Sequence, residues 1–368
     1  MRLLNIKFTE VLLKLLPWVF SDAGYEVSLV DLPYAGYSNS SDISVFDEKP
    51  GVNAFSSESF ADIRGDEKIS QSIRDRLWKR NFFCYSLMKT SPLVCQNLVY
   101  QKGSYGSPII GCQILYNLSK AEGIDNKYIK ESAILDALPL MSEIQDTGRN
   151  TCFIIANQAT HQPTLLKEPE YIPSEIIDNS EYDACREDRF VVGGKKMDIF
   201  NSFQMSSYHV TVASFIKLGA WMEHLRRENV FDNTRIIIVA DHGIHLSLFK
   251  DLFFDKGRVT EDILSFNPLL MVKDFGNDAP FREDDDFMTN ADTPTLAIDG
   301  LIENPQNPFT GRCITDEKKF EQELHVFKVN RFNPEDHPGN TYRYEERFVL
   351  KRQNVLDANN WDVFTTCR

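Results

Sequence analysis

The chain has 368 residues, of which 42% are apolar, enough for one large α/β domain or two smaller ones with a sizeable core. Its net charge of −14 argues against nucleic acid or anionic lipid as the main partner, because binding to phosphates needs clustered Lys and Arg. The seven cysteines are odd in number, widely spaced and free of any CxxC pair, which suits neither a zinc ribbon nor a disulfide scaffold.

The opening "MRLLNIKFTEVLLKLLPWVF" is interrupted by Lys7, Thr9, Glu10 and Lys14. It is therefore no membrane span, which needs about 20 predominantly apolar residues, and it has no signal-peptide cleavage pattern. Taken literally, the chain reads as soluble and untargeted. Val11, Leu12, Leu15, Leu16 and Val19 share one helical face, and "DAGYEVSLVD" follows as a turn and a short strand over 26–30. Residues 34–72 are polar, rich in Ser, Asp and Gly, and read as a surface excursion. The aromatic stretch "LWKRNFFCYSLMKTSPLVCQNLVY" reads as short helices packed over the core, with a lipid-facing or partner-facing patch as the alternative.

In "TCFIIANQATHQP" an apolar strand over 152–156 runs into a loop crowded with Asn157, Gln158, Thr160 and His161. The best helix spans 208–228, with Val212, Phe215, Ile216, Gly219, Met222 and Leu225 at spacings of three and four. It leads into the strand of "RIIIVADHGIHLS", whose apolar run ends in Asp241, His242 and Gly243. "PLLMV" is a further strand. After the acidic "REDDD" a helix starts near Asp292, the expected N-cap, with Pro294 in its first turn. The tail carries β-like runs at "LHVFKV" and "RYEERFVLK".

Apolar strands separated by amphipathic helices predict an α/β fold with a largely parallel sheet, whose buried strands include 153–156, 236–239 and 269–272. Ligands of such sheets bind at the carboxyl ends of strands, where both polar clusters fall. An ionised Asp and a neutral His are good ligands for a divalent metal, and Gly243 lets the strand curl so that neighbouring side chains reach one ion. Taken alone, such a pair is more often a polar loop with an N-cap than a metal site, and His161 alone is more often a hydrogen-bonded loop histidine. His245 reads as an exposed loop residue, and His209 either reaches the site or reflects the polarity of a helix start. His224, His325 and His337 have ordinary surface readings.

"YHVTVASFIKLGAWMEHLRRENVFDNTRIIIVADHG" resembles the core of the sulfatase and alkaline-phosphatase superfamily, in which a long helix, a "DNT" turn and a buried strand end in Asp-His-Gly. The branch it most resembles is that of membrane-anchored sulfatase-like proteins of bacterial envelopes, including lipoteichoic acid synthases and phosphoethanolamine transferases. "NQATHQP" is similar to the substrate-side loop of that branch, and "NPLLMVKDFG" with "TNADTPTLAIDGLIENPQNPFTG" is similar to its later strand and helix. The match runs over most of residues 8–311.

The resemblance implies an alkaline-phosphatase-like core over residues 1–311 and a small β-rich subdomain over 312–368. Asp241 and His242 would bind a divalent cation, zinc or manganese. His161 would donate a hydrogen bond to the transferred phosphate or sulfate group. A Thr or Ser nucleophile would form a covalent intermediate and pass the group to water or an acceptor alcohol. The substrate would be a phosphate or sulfate ester of envelope lipid or glycan, on the extracytoplasmic face of a bacterial membrane.

The family also places an acidic ligand on an earlier strand and the nucleophile at the start of a helix, both upstream of the helix matched to residues 8–22. Neither Thr9 nor Ser21 has that context, and the cysteines lack the family's Cys-x-Pro-x-Arg pattern, so the nucleophile is unassigned. The expectation is an N-terminally incomplete core, inactive alone, whose full-length parent carries the membrane tether. The alternative is a non-catalytic sulfatase-like envelope or binding protein.

Overall fold

The computed structural model describes residues 13–32, 43–56, 71–100, 125–142, 144, 148–174, 176–256, 259–315, 323–328, 346–351 and 354–365. Residues 13–22 are helical, and Gly24 ends the helix at φ +86°. The Gly24 N–H donates to the Ser21 carbonyl and the Tyr25 N–H to the Phe20 carbonyl, each at 3.0 Å. The Tyr25 ring meets Phe20 edge-on at 5.0 Å. A left-handed residue that satisfies the last carbonyls in this way is a Schellman closure, and glycine takes it without steric cost. The chain turns directly into β1 (Glu26–Val30).

β1 is the centre of a three-stranded parallel sheet, between β2 (Val52–Phe55) and β3 (Thr151–Ile155). Val27, Leu29 and Val30 are at most 1% exposed, as a strand covered on both faces requires. Trp18, Val19 and Phe20 of the 13–22 helix cover one face together with Ile298 of helix Thr293–Ile298, where Cys152 and Ile154 also point. Phe153 and Ile155 point to the other face, packed against Tyr128 and Ile129 of helix Asn126–Asp136 and Val210 and Ala213 of helix Ser202–Arg227. The result is a mixed α/β structure with helices on both sides of the parallel strands. β2 corrects the reading of 34–72 as an excursion alone; four residues are too short to show a period.

The long helix starts at Ser202, six residues before the expected position, because Asn201 caps it in a capping box with Gln204. Its buried side also differs. Phe215 and Ile216 are exposed, whereas Ser206, His209, Val210, Ala213 and Ser214 are buried. Small residues let helix 126–136 and β3 approach closely, so this face wins over the bulkier one.

β4 (Val191–Val192) and β5 (Lys195–Lys196) form a minimal hairpin through Gly193 and Gly194, both at positive φ. β6 (Ile236–Val239) packs Ile236 and Ile238 against Leu225, Trp221 and Met222 at the far end of the long helix. It pairs antiparallel with β9 (Leu270–Lys273), in a two-stranded sheet of its own. The largely parallel sheet expected from the sequence is thus confined to β1, β2 and β3. The reason lies in the connection. A parallel return needs a crossover, usually a helix, whereas residues 240–269 hold the antiparallel hairpin β7 (Phe253–Asp255) and β8 (Thr260–Asp262) with a 3-10 turn after it.

The tail forms an antiparallel sheet of β10 (Leu324–Lys328), β11 (Glu346–Leu350) and β12 (Trp361–Thr365). Its core is shared with the β7–β8 hairpin: Phe348, Leu350 and Trp361 pack with Phe254, Val259 and Ile263. The Phe266 and Phe348 rings lie 4.8 Å apart, and Phe254 stacks on Trp361 at 5.9 Å. Fully burying such side chains contributes roughly 2–3 kcal/mol each. Among the described residues no helix is long and apolar enough to cross a membrane.

Candidate functional site

β6 ends at Val239; the Ala240 N–H still donates to the Leu269 carbonyl at 2.9 Å, and the chain bends at Asp241. Past the bend, consecutive side chains no longer alternate between faces. The Asp241 Oδ2 and His242 Nε2 atoms lie 3.7 Å apart, with both side chains well exposed. The His242 N–H donates to Asp241 Oδ1 at 2.9 Å, leaving Oδ2 as the outward oxygen. His242 Nδ1 lies 2.7 Å from the Gly243 carbonyl, which can only accept, so Nδ1 carries the proton and Nε2 the lone pair.

Backbone contacts fix this pair. The Gly243 N–H donates to the Ser265 carbonyl at 3.2 Å. A Cβ at Gly243 would sit 1.8 Å from the Leu264 carbonyl oxygen, so the close approach of the two segments excludes every other residue. Asp262, 1% exposed, accepts from the N–H groups of Leu246, Ser247 and Leu264 at 3.1, 2.9 and 3.0 Å. Gln204 donates from Nε2 to the Leu246 carbonyl at 2.6 Å, tying the loop to the start of the long helix. On the opposite side Asn290 donates to the Asp241 carbonyl at 2.7 Å.

Asn290 belongs to the turn before helix 293–298. There Asp292 stands at the N-cap position as expected, but its carboxylate accepts from the Thr289 N–H at 2.6 Å and makes no cap bond to that helix; Pro294 occupies the first turn, also as expected. None of these supporting roles was read from the sequence. The Asn201–Gln204 capping box and the Asp262 cap on the Leu264 N–H, two residues on, were local signals, whereas the bonds from Asp262 to Leu246 and Ser247 and from Asn290 to Asp241 reach 15 or more residues and leave no local pattern.

Asp241 and His242 face a groove of about 2180 Å³ that Ser265, Arg282, Thr289 and Asn290 also line. One wall carries Glu283, Asp284, Asp285 and Asp286, so its field favours a cation and opposes a free anion. Among the described residues no group of three or more His, Cys, Asp or Glu side chains is arranged to hold a metal.

His161 ends the 3-10 turn Ala159–His161 after β3, exposed, with Nδ1 3.4 Å from Gln162 Nε2. It is not among the residues that line the groove of Asp241 and His242. Its polar neighbours serve the fold: Asn157 donates to the Glu131 carbonyl at 2.8 Å, and the Gln158 N–H to the Glu131 carboxylate at 3.0 Å. Cys152, on β3, is no thiolate source, because burial pushes its thiol up to about 12.

His209 is buried in a separate polar cluster. Its Nδ1 accepts from the Leu166 N–H at 2.9 Å, so Nε2 carries the proton and points at Glu168 Oε2, 3.5 Å away. Glu168 accepts from Arg189 Nε and Nη2 at 2.9 and 3.1 Å. Desolvation holds the imidazole below its ordinary pKa, and the same burial raises the Tyr171 and Tyr208 phenols beside it. His245 stays half-exposed at the loop, 3.6 Å from Glu261.

No family model matches the chain, and no curated protein matches it.

Proposed function

We propose that this chain is the core of a metal-dependent hydrolase or transferase of phosphate or sulfate esters, of the sulfatase-like kind, with Asp241 and His242 as the protein ligands of one divalent cation. The observation that carries the reading is the 3.7 Å spacing of Asp241 Oδ2 and His242 Nε2, with the His242 Nδ1–H spent on the Gly243 carbonyl. Two metal bonds of about 2.0–2.2 Å span that distance. A ligating histidine whose other N–H is held by a backbone carbonyl has its tautomer and ring plane set before the ion arrives. The donor set, one carboxylate and one imidazole, suits zinc or manganese.

A bound ion would supply Lewis acidity and offset the charge of an anionic ester. The chain's own residues do the rest. Gly243, Asp262 and Asn290 hold the two ligands on a rigid turn, and the acidic wall at 283–286 makes anion entry depend on the cation. Arg282, at the same groove, offers a guanidinium to the ester oxygens. His161 enters this reading through the resemblance, as a donor to the transferred group. The alkaline-phosphatase-like core, a membrane tether and an envelope substrate on the extracytoplasmic face belong to the same proposal.

A carboxylate and an imidazole leave most coordination positions to water, and the nucleophile is unassigned, so binding without turnover is expected of these 368 residues. In the presence of Mn²⁺, phenylphosphonate should raise the melting temperature of the chain. Without the metal, or with Asp241→Ala, it should not. Metal-independent stabilisation would refute the site. Metal binding with no response to phenylphosphonate would favour the second reading, a non-catalytic binding protein, for which His161 lying outside the groove lining also speaks.

A further inference from the structure

The net charge of −14 is not spread evenly. Helices Gln71–Thr90 and Leu93–Tyr100 hold five basic residues, Arg74, Arg76, Lys79, Arg80 and Lys89, against one acidic residue, Asp75, a net of +4. The first helix is also apolar on both sides. Cys84 is buried and Leu87 and Met88 are half-buried, while Phe82 and Tyr85, 62% and 52% exposed, share the outer face with the exposed Lys79 and Lys89. At the start of the second helix Leu93 and Val94 are each 85% exposed. The Lys89 ammonium lies 5.5 Å over the Tyr85 ring.

Large side chains this exposed, close in the chain and accompanied by lysines, mark a surface that meets something else. Aromatic rings and aliphatic tips beside lysines match the boundary of a bilayer, where rings sit at headgroup depth and ammonium groups reach the phosphates. The acidic remainder of the molecule does not cancel the attraction, because charges beyond about 8 Å are largely screened at physiological salt.

We propose that this helix pair docks on the surface of an anionic lipid bilayer, lying on it without crossing. Phe82, Tyr85, Leu93 and Val94 enter the interface, and Lys79 and Lys89 contact the headgroups. The inference is independent of the metal reading of Asp241 and His242.

Co-sedimentation of the whole chain with phosphatidylcholine vesicles, with and without phosphatidylglycerol, tests it. Binding is expected only with phosphatidylglycerol, falling as salt is raised. Charge reversal at Lys79→Glu with Lys89→Glu, and the apolar triple Phe82→Ser, Leu93→Ser, Val94→Ser, should each weaken it by about tenfold. The native salt series carries the test if a variant fails to fold. Equal binding to both vesicle types, no binding to either, or folded variants that bind like the native chain would overturn the proposal. So would a native dimer that both variants abolish while no vesicle is bound, which would assign the patch to a second copy.

Discussion

Glu168→Ala is expected to destabilise the folded chain by about 3 kcal/mol, the low end for breaking a buried ion pair, because Arg189 loses its fully buried partner and keeps only the half-exposed Asp183. The Glu168 side chain has no exposure and that of Arg189 only 5%. Arg189 would keep Asp183, which is half-exposed, and its stacking on Phe190 at 4.0 Å. It would lose both hydrogen bonds to the carboxylate. The His209 Nε2–H would at the same time lose the acceptor nearest to it. Removing both charges together, as in Glu168→Leu with Arg189→Met, should cost much less than the single change, since no charge then stays buried alone. Urea denaturation of the three proteins checks this. A single-variant cost under about 1 kcal/mol would show that water reaches the cluster.

The second large effect is expected at Gly243→Ala. The added methyl would lie 1.8 Å from the Leu264 carbonyl oxygen, and that oxygen belongs to backbone that Asp262 and the Gly243–Ser265 hydrogen bond hold in place. Overpacking of this kind costs about 1–3 kcal/mol and moves backbone. The loop has to shift away from 264–265, which pulls Asp241 and His242 out of register with each other. The denaturation midpoint should therefore fall and manganese binding should be lost together. Gly219, with open space around its Cβ position in the middle of the long helix, serves as the control. There the same change should be neutral or stabilising, by up to about 1 kcal/mol, since alanine is the better helix former.

The strands were legible because their apolar runs stop abruptly, as at Ala240 before Asp241 and at Ala156 before Asn157. Their directions were not. Hydrophobicity marks that Ile236–Val239 is covered, but whether Leu270–Lys273 returns beside it parallel or antiparallel depends on the connection, and the short β7–β8 hairpin has no strong turn sequence to announce it. The long helix was legible through its period, and Val212, Met222 and Leu225 do pack inward, yet Phe215 and Ile216 are exposed, since a stripe of Ser206, Ala213 and Ser214 shows its value only once a neighbour packs there. In the candidate site, Asp241, His242 and Gly243 stood out as a break in an apolar run. Asp262 and Asn290, which hold that break in shape, do so through distant backbone groups that carry no periodic or motif signal, although Asp262 also caps the Leu264 N–H nearby.

The central claim is that Asp241 and His242 hold one divalent cation between Oδ2 and Nε2. Counting bound Mn²⁺ by electron paramagnetic resonance in the native chain, Asp241→Asn and His242→Gln tests it most directly, because manganese favours carboxylate and imidazole over the free thiols. The account predicts one weakly bound ion in the native chain and its loss in each variant, with folding unchanged because both side chains are exposed. A bound ion that survives both substitutions, or none in the native chain, would contradict it.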